Sequence, residues 1–155
     1  YYKLPYSFFY RKKLKMIVSL MPKGKIYRNI LDYGSGPGIF EEELNCHALS
    51  VKKFEIGETI DPRWRFEAIV CASVLEFTDL KTTIMLLKNL LMPQGVLYVG
   101  SPMQTFLSKT YFKAIGDKNR RRHHDKIIHE ISRELRIEKY ITWMNLYFAI
   151  RASKN

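Results

Sequence analysis

A chain of 155 residues with apolar and charged fractions of 46% and 26% is long enough to bury one core, and its balance excludes a disordered tail. The formal net charge of +11 favours acidic partners: nucleic acid, a phosphorylated small molecule or an anionic membrane surface, with plain solubility as the bland alternative. No apolar run approaches the roughly 20 residues of a membrane-spanning helix, and basic residues interrupt the N-terminal apolar stretch, so no signal peptide is expected. Cys46 and Cys71 have no ligand spacing and are expected to be buried, reduced and quiet, which suits a cytoplasmic protein.

Tyr6 to Met21 reads as an amphipathic helix, with Leu14, Ile17, Val18 and Met21 on one face and Arg11, Lys12, Lys13 and Lys15 around it. Its aromatic start, Tyr6, Phe8, Phe9 and Tyr10, suits packing over a sheet edge, a binding-site lining or a membrane surface. Pro22 and Gly24 end it. Residues 1–24 are thus a helical extension of one domain that spans 1–155. Arg28 to Tyr33 is the first strand. After the glycines at 34, 36 and 38, acids at 41, 42 and 43 fill the first turn of a helix that reaches Cys46.

Leu49 to Phe54 is the second strand and Glu55 follows it. Ile56 to Arg65 is short and irregular, with Gly57 and Pro62 as breakers. Glu67 to Ala72 is apolar enough to be buried on both faces of a parallel sheet. Leu80, Ile84, Leu87 and Leu91 recur at helical spacing over Asp79 to Leu91. Pro93-Gln94-Gly95 is a turn before a strand over Gly95 to Gly100. Gln104 to Ile115 is helical, Lys118 to His124 is a basic loop, and Asp125 to Leu135 is a helix with Ile127, Ile128, Ile131 and Leu135 inward. Two strands, Leu135 to Trp143 and Leu146 to Ser153, flank Met144-Asn145 as a terminal hairpin. Alternating strands and helices predict an α/β, doubly wound, Rossmann-like sheet, mostly parallel, with an antiparallel pair at one edge.

The centre of this pattern is Ile30-Leu31-Asp32-Tyr33-Gly34-Ser35-Gly36-Pro37-Gly38. A strand, a glycine turn and a helix start make the nucleotide-binding corner of such a sheet. Glycine permits positive φ and lets a ligand approach the backbone. The spacing is G-x-G-x-G, not the dinucleotide G-x-G-x-x-G. Glu55 lies roughly 20 residues further on, where an acid can accept both hydroxyls of a ribose, a solvated surface acid being the other reading. Neither Cys46-His47 nor His123-His124 offers zinc spacing, so no metal is expected.

Three stretches together, Leu31 to Gly38, Phe66-Glu67-Ala68-Ile69-Val70-Cys71-Ala72-Ser73-Val74-Leu75-Glu76-Phe77, and Leu90 to Pro102, resemble the class I S-adenosylmethionine-dependent methyltransferases of the small type 11/12 branch. The terminal hairpin fits that family's reversed last strand, and the resemblance spans Tyr6 to Lys154. It implies S-adenosylmethionine as cofactor. Gly34, Ser35, Gly36 and Gly38 would pass under it, Asp32 would orient the turn or the amino group, Glu55 would hold the ribose, and Ala72 and Ser73 would sit beside the methionine end. Two departures stand out. Only residues 56–65 separate Glu55 from Phe66, where the family inserts a helix and a third strand, so the adenine side is trimmed and Ile60 or Asp61 would have to cover it. Phe77 replaces a histidine that many relatives carry after Leu-Glu.

The resemblance implies methyl transfer to a small molecule, and the basic charge points to an anionic or membrane-associated one. An RNA substrate and a non-catalytic binding or scaffold module on the same fold are the alternatives. His123 and His124 are the candidate general bases, against a merely solvated basic loop, and His47 and His129 read as structural or exposed. Arg120, Arg121 and Arg122 are candidates for a phosphate or a nucleic-acid backbone.

Overall fold

The computed structural model describes residues 4–154 apart from 37, 39 and 115–122, and only the backbone of 4–10, 111, 112 and 114. The aromatic side chains at 6 and 8–10 and the arginines at 120–122 therefore lie outside the described residues. The described elements are α1 (Leu4–Ser19), β1 (Ile30–Tyr33), α2 (Glu41–Asn45), β2 (Val51–Phe54), β3 (Phe66–Ala72), α3 (Leu80–Leu90), β4 (Leu91–Pro102), α4 (Phe106–Ala114), α5 (His124–Glu134), β5 (Arg136–Trp143) and β6 (Tyr147–Ser153).

The strands form one sheet in the order β2-β1-β3-β4-β6-β5. The first four run parallel, and β6 returns antiparallel to β4, pairing Pro102 with Tyr147 and Val96 with Ser153. This is the expected doubly wound sheet with an antiparallel pair at one edge. Alternation divides its two faces. Ile30, Ala68, Val70, Tyr98 and Tyr147 pack against Ile17 of α1, Leu20 just after it and Leu44 of α2. Leu31, Ile69, Cys71, Leu97 and Phe148 pack against Ile84 and Leu87 of α3 and Ile127 and Ile131 of α5. Both faces are covered, which is why residues 68–72 of β3 and 96–99 of β4 read as continuous apolar runs. At the hairpin, Met144 and Asn145 both take positive φ, 48° and 53°, as the mirror-image turns that match strand twist require.

Two expectations need correction. Pro93-Gln94-Gly95 does not precede a separate strand: β4 begins at Leu91, because Leu91 pairs with Phe66 before the register shifts to Ala68–Val96. The turn survives as a bulge inside the strand, with Gln94 at φ 62°. Cys46 is exposed, not buried. It is the C-cap of the one-turn helix α2, where an amphipathic face hardly develops.

Between β2 and β3 no strand forms, so β2 is the sheet edge. Ile60 and Trp64 fold back onto the core, Lys52 Nζ sits 3.5 Å over the Trp64 ring, and Asp61 is paired with Arg63 at 2.8 Å. Among the described residues no helix is long and apolar enough to cross a membrane.

Candidate functional site

The parallel strands deliver their C-terminal ends to one edge, and the sequence-predicted residues gather along it. Tyr33 pairs with Phe54 across β1 and β2, so the glycine turn after β1 and Glu55 after β2 start side by side. The Phe54 carbonyl accepts from the N–H groups of Gly34 and Ser35, at 2.7 and 3.2 Å. Ser35 Oγ donates to Glu55 Oε1 at 2.8 Å. Gly34 and Gly36 have φ of 74° and 52°, the left-handed region that glycine enters at no steric cost. A Cβ on Gly34 would run into Val74 Cγ2, whereas one on Gly36 would meet nothing within 4 Å. The turn is therefore closed on its Val74 side and open above Gly36.

Asp32, in β1 two residues before Gly34, is 2% exposed, and its Oδ2 has no hydrogen-bond partner among the described residues. Burial, then the nearby Glu55 charge, push its pKa up from 3.8 to about 7, with Lys53 opposing. Lys53 is turned away to Glu41, at 2.9 Å. A buried carboxylate whose oxygen lacks a partner among the described residues suits a cationic group such as an ammonium.

At the end of β3, Ser73 takes φ 59°, and its N–H is held by the Gly100 carbonyl at 2.7 Å. Its hydroxyl receives a hydrogen bond from Lys13 Nζ of α1 at 2.8 Å, and the Tyr147 hydroxyl lies 3.5 Å away. Neither Lys13 nor Tyr147 stood out in the sequence. Lys13 is one of several basic residues on its helix, and Tyr147 begins a strand whose residues all read as core.

His123 and His124 occupy the same edge beyond β4. His123 is the N-cap of α5, and its Nδ1 accepts from the Asp125 N–H at 3.4 Å. His124 Nδ1 accepts the Gln104 N–H at 3.1 Å. The neutral ring of His124 must then carry its proton on Nε2, which faces Asp125 Oδ1 at 3.4 Å. Burial lowers its pKa further. Both ring nitrogens are thus engaged, which argues against His124 as a general base. The ligating atoms of His123, His124 and Asp125 lie within 4.8 Å of one another. An Nε2–H donor cannot ligate a cation, however, and metal-bound histidines donate their second nitrogen rather than accept through it.

Neither a protein-family model nor a curated protein matches the sequence. Solved structures do match the fold. The N-methyltransferase NodS from Bradyrhizobium japonicum, in complex with S-adenosylhomocysteine, superposes with a TM-score of 0.73 at 17% identity, over 94% of this chain and 87% of that one. A SAM-dependent methyltransferase from Thermotoga maritima, a possible histamine N-methyltransferase, gives 0.68 at 15%, over 96% and 90%. A SAM-dependent methyltransferase from Mesorhizobium loti gives 0.67 at 12%, over 89% and 95%. With this strand order and these neighbours, the chain has the fold of the class I S-adenosylmethionine-dependent methyltransferases.

Proposed function

We propose that the chain binds S-adenosylmethionine at the glycine corner and directs methyl transfer to a small, negatively charged acceptor. The carrying observation is Asp32, a buried carboxylate whose Oδ2 has no partner among the described residues, two residues before a turn that is open at Gly36. The residues fit the cofactor. Asp32 would take its amino group, Gly34 to Gly38 would pass beneath its methionine arm, Glu55 would hold the ribose, and Ala72 with Ser73 would border the sulfonium. When bound, the cofactor supplies a methyl group on a positively charged sulfur, which leaves as a neutral thioether. This chain's residues position and desolvate the acceptor, which supplies much of the rate in such displacements. The net charge of +11 supports an anionic acceptor.

Calorimetry with S-adenosylhomocysteine tests the reading. Binding is expected for the wild type, and Gly36→Ala should weaken it strongly; the methyl enters open space, so the variant should fold at a cost of about 1–2 kcal/mol for a side chain in left-handed backbone. No binding at millimolar ligand, or unchanged affinity in the variant, counts against it.

A second reading, a non-catalytic binding module on the same fold, is favoured by one observation: both nitrogens of His124 are engaged. Binding of S-adenosylhomocysteine with no methylation of any anionic acceptor would support it.

A further inference from the structure

The basic charge is not spread evenly along the chain. Residues 1–31 hold eight of the 26 Lys and Arg residues and no Asp or Glu, and residues 103–124 hold six more with one Asp. Both stretches reach the tip of the terminal hairpin. The Asn145 carbonyl accepts from Thr105 Oγ1 at 2.7 Å, and the Leu146 carbonyl accepts from the Met103 N–H at 2.9 Å. From α1, Lys12 Nζ stands 5.6 Å over the Trp143 ring. The start of α4 is thereby fastened beside Met144. Three large apolar side chains face solvent there: Phe106 is 87% exposed, Leu107 50% and Met144 64%. The first turn of α4 sets their direction. Thr105 and Ser108 each take the other's N–H on a hydroxyl oxygen, at 3.1 and 2.9 Å, and Ser108 is fully buried. Phe106 and Leu107 are left outside, and Lys109 and Lys113, one and two turns on, share the exposed face of Phe106.

We propose that Phe106, Leu107 and Met144, flanked by Lys12, Lys109 and Lys113, form a docking surface for an anionic lipid bilayer, whatever fills the glycine corner. Exposed apolar groups rimmed by polar ones mark interaction sites. These three sit on a helix start and a hairpin end, which protrude rather than enclose a groove. A bilayer takes apolar side chains of this kind about 5–10 Å into its headgroup boundary, while lysines beside them meet anionic headgroups. Charge decides between occupants. Two chains of +11 repel one another, whereas an anionic leaflet attracts both basic stretches. A nucleic-acid backbone would use the lysines and leave the apolar tips in water. Tyr147 pairs with Pro102 at the end of β4, so the tip lies on the same sheet edge as the glycine corner. A docked chain therefore brings that corner close to the headgroups.

Sedimentation of the full chain with vesicles tests the surface, using phosphatidylcholine alone and mixed about 2:1 with phosphatidylserine. The mixed vesicles should bind at least about tenfold more tightly, since each basic residue near such a surface contributes about fivefold. Phe106→Ser with Leu107→Ser should weaken binding about tenfold or more, and because both residues are exposed the urea midpoint should not move. Met144→Asn tests the hairpin end separately: asparagine tolerates the φ of 48° there, so the variant should fold and still lose severalfold in binding. Lys109→Gln with Lys113→Gln should weaken the mixed vesicles and leave the neutral ones unchanged. With Trp64→Phe leaving Trp143 as the sole tryptophan, brominated phosphatidylcholine in the mixed vesicles should quench its emission. Equal binding to the two vesicle types, or binding that survives both apolar variants, overturns the proposal. Self-association that the apolar variants abolish, without vesicle binding, overturns it in favour of a second copy. Retention of an RNA oligonucleotide that falls in the same variants, again without vesicle binding, overturns it in favour of base stacking.

Discussion

Ser35 Oγ donates to Glu55 Oε1 at 2.8 Å, tying the residue inside the glycine turn to the first residue after β2. The bond exists because β1 and β2 run parallel and in register, so their ends turn out of the sheet together. Glu55 itself is exposed, and without this tie it would be a freely rotating surface acid. Its own N–H is held by Glu58 Oε2 at 2.8 Å. If Glu55 reads the ribose, Glu55→Ala should weaken S-adenosylhomocysteine by about tenfold to a hundredfold, the range for a hydrogen bond to a charged group. Ser35→Ala keeps the carboxylate but frees it, and should cost only about threefold. Calorimetry on the two variants checks the order. An unchanged affinity in Glu55→Ala would remove the ribose role.

Asp32 sets a pH dependence whose sign runs against the usual carboxylate. Its folded pKa of about 7 lies above its ordinary 3.8, so the folded state holds the proton more tightly than the unfolded chain. Its contribution to stability is complete below the ordinary value and is lost as pH rises through about 7. Asp32→Asn removes this titration. Relative to the variant, the wild type should lose up to about 4 kcal/mol between pH 4 and pH 8. Denaturant titrations at several pH values measure the difference, and parallel curves would show that Asp32 is not held near neutrality. The same substitution should weaken the cofactor, because the amino group loses its anion. The site would then have been kept at the expense of stability.

The glycine corner was legible because its requirements are local. Positive φ at Gly34 and Gly36 favours glycine, and an apolar run ending in Asp32 announces the strand before it. The parallel core was legible for a similar reason: residues 68–72 of β3 and 96–99 of β4 read as unbroken apolar runs, as strands covered on both faces do. What was hidden depends on tertiary placement. Lys13 looks like Lys12 and Lys15 until the packing of α1 on β4 and β6 singles it out. The extension of β4 back to Leu91 needs Phe66 as partner, and a Pro-Gln-Gly run gives no hint that pairing resumes across it. His124 reads as one half of a basic pair, and only the Gln104 amide reveals which nitrogen holds the proton.

Gly34 and Gly36 are both at positive φ, yet they should respond differently to alanine. At either, a side chain in the left-handed region costs about 1–2 kcal/mol. At Gly34 the new Cβ also collides with Val74 Cγ2, a buried side chain, which forces a rearrangement worth another 1–3 kcal/mol or so. Gly34→Ala should therefore be the more destabilising. Adding Val74→Ala should recover the collision part and no more, less whatever the lost valine methyl groups contributed. Equal destabilisation at the two glycines, measured by thermal or urea unfolding, would mean that Val74 does not close the turn.

The Gln104–His124 bond makes a final prediction with the opposite pH sign. His124 Nδ1 accepts the Gln104 N–H at 3.1 Å, a bond that links the segment after β4 to the first turn of α5. Protonation would convert that acceptor into a donor facing another donor. Burial, then weakly opposed charges, hold the folded pKa below the ordinary 6.5. The associated stability is therefore present above pH 6.5 and is lost as pH falls through the folded value. His124→Asn offers a carbonyl oxygen in place of Nδ1 without titrating. It should match the wild type at pH 8 to within about 1 kcal/mol and fall off less toward pH 5. His124→Phe keeps the bulk but orphans the Gln104 amide, at a cost of about 1–3 kcal/mol at pH 8 that shrinks toward pH 5 as the wild type loses the same bond. Urea unfolding of the three proteins across that range separates the cases. If Asn and wild type run parallel, the amide bond does not set the titration of His124. If His124→Phe costs nothing, the Gln104 amide has found water, and the ring nitrogen would again be open to act as a base.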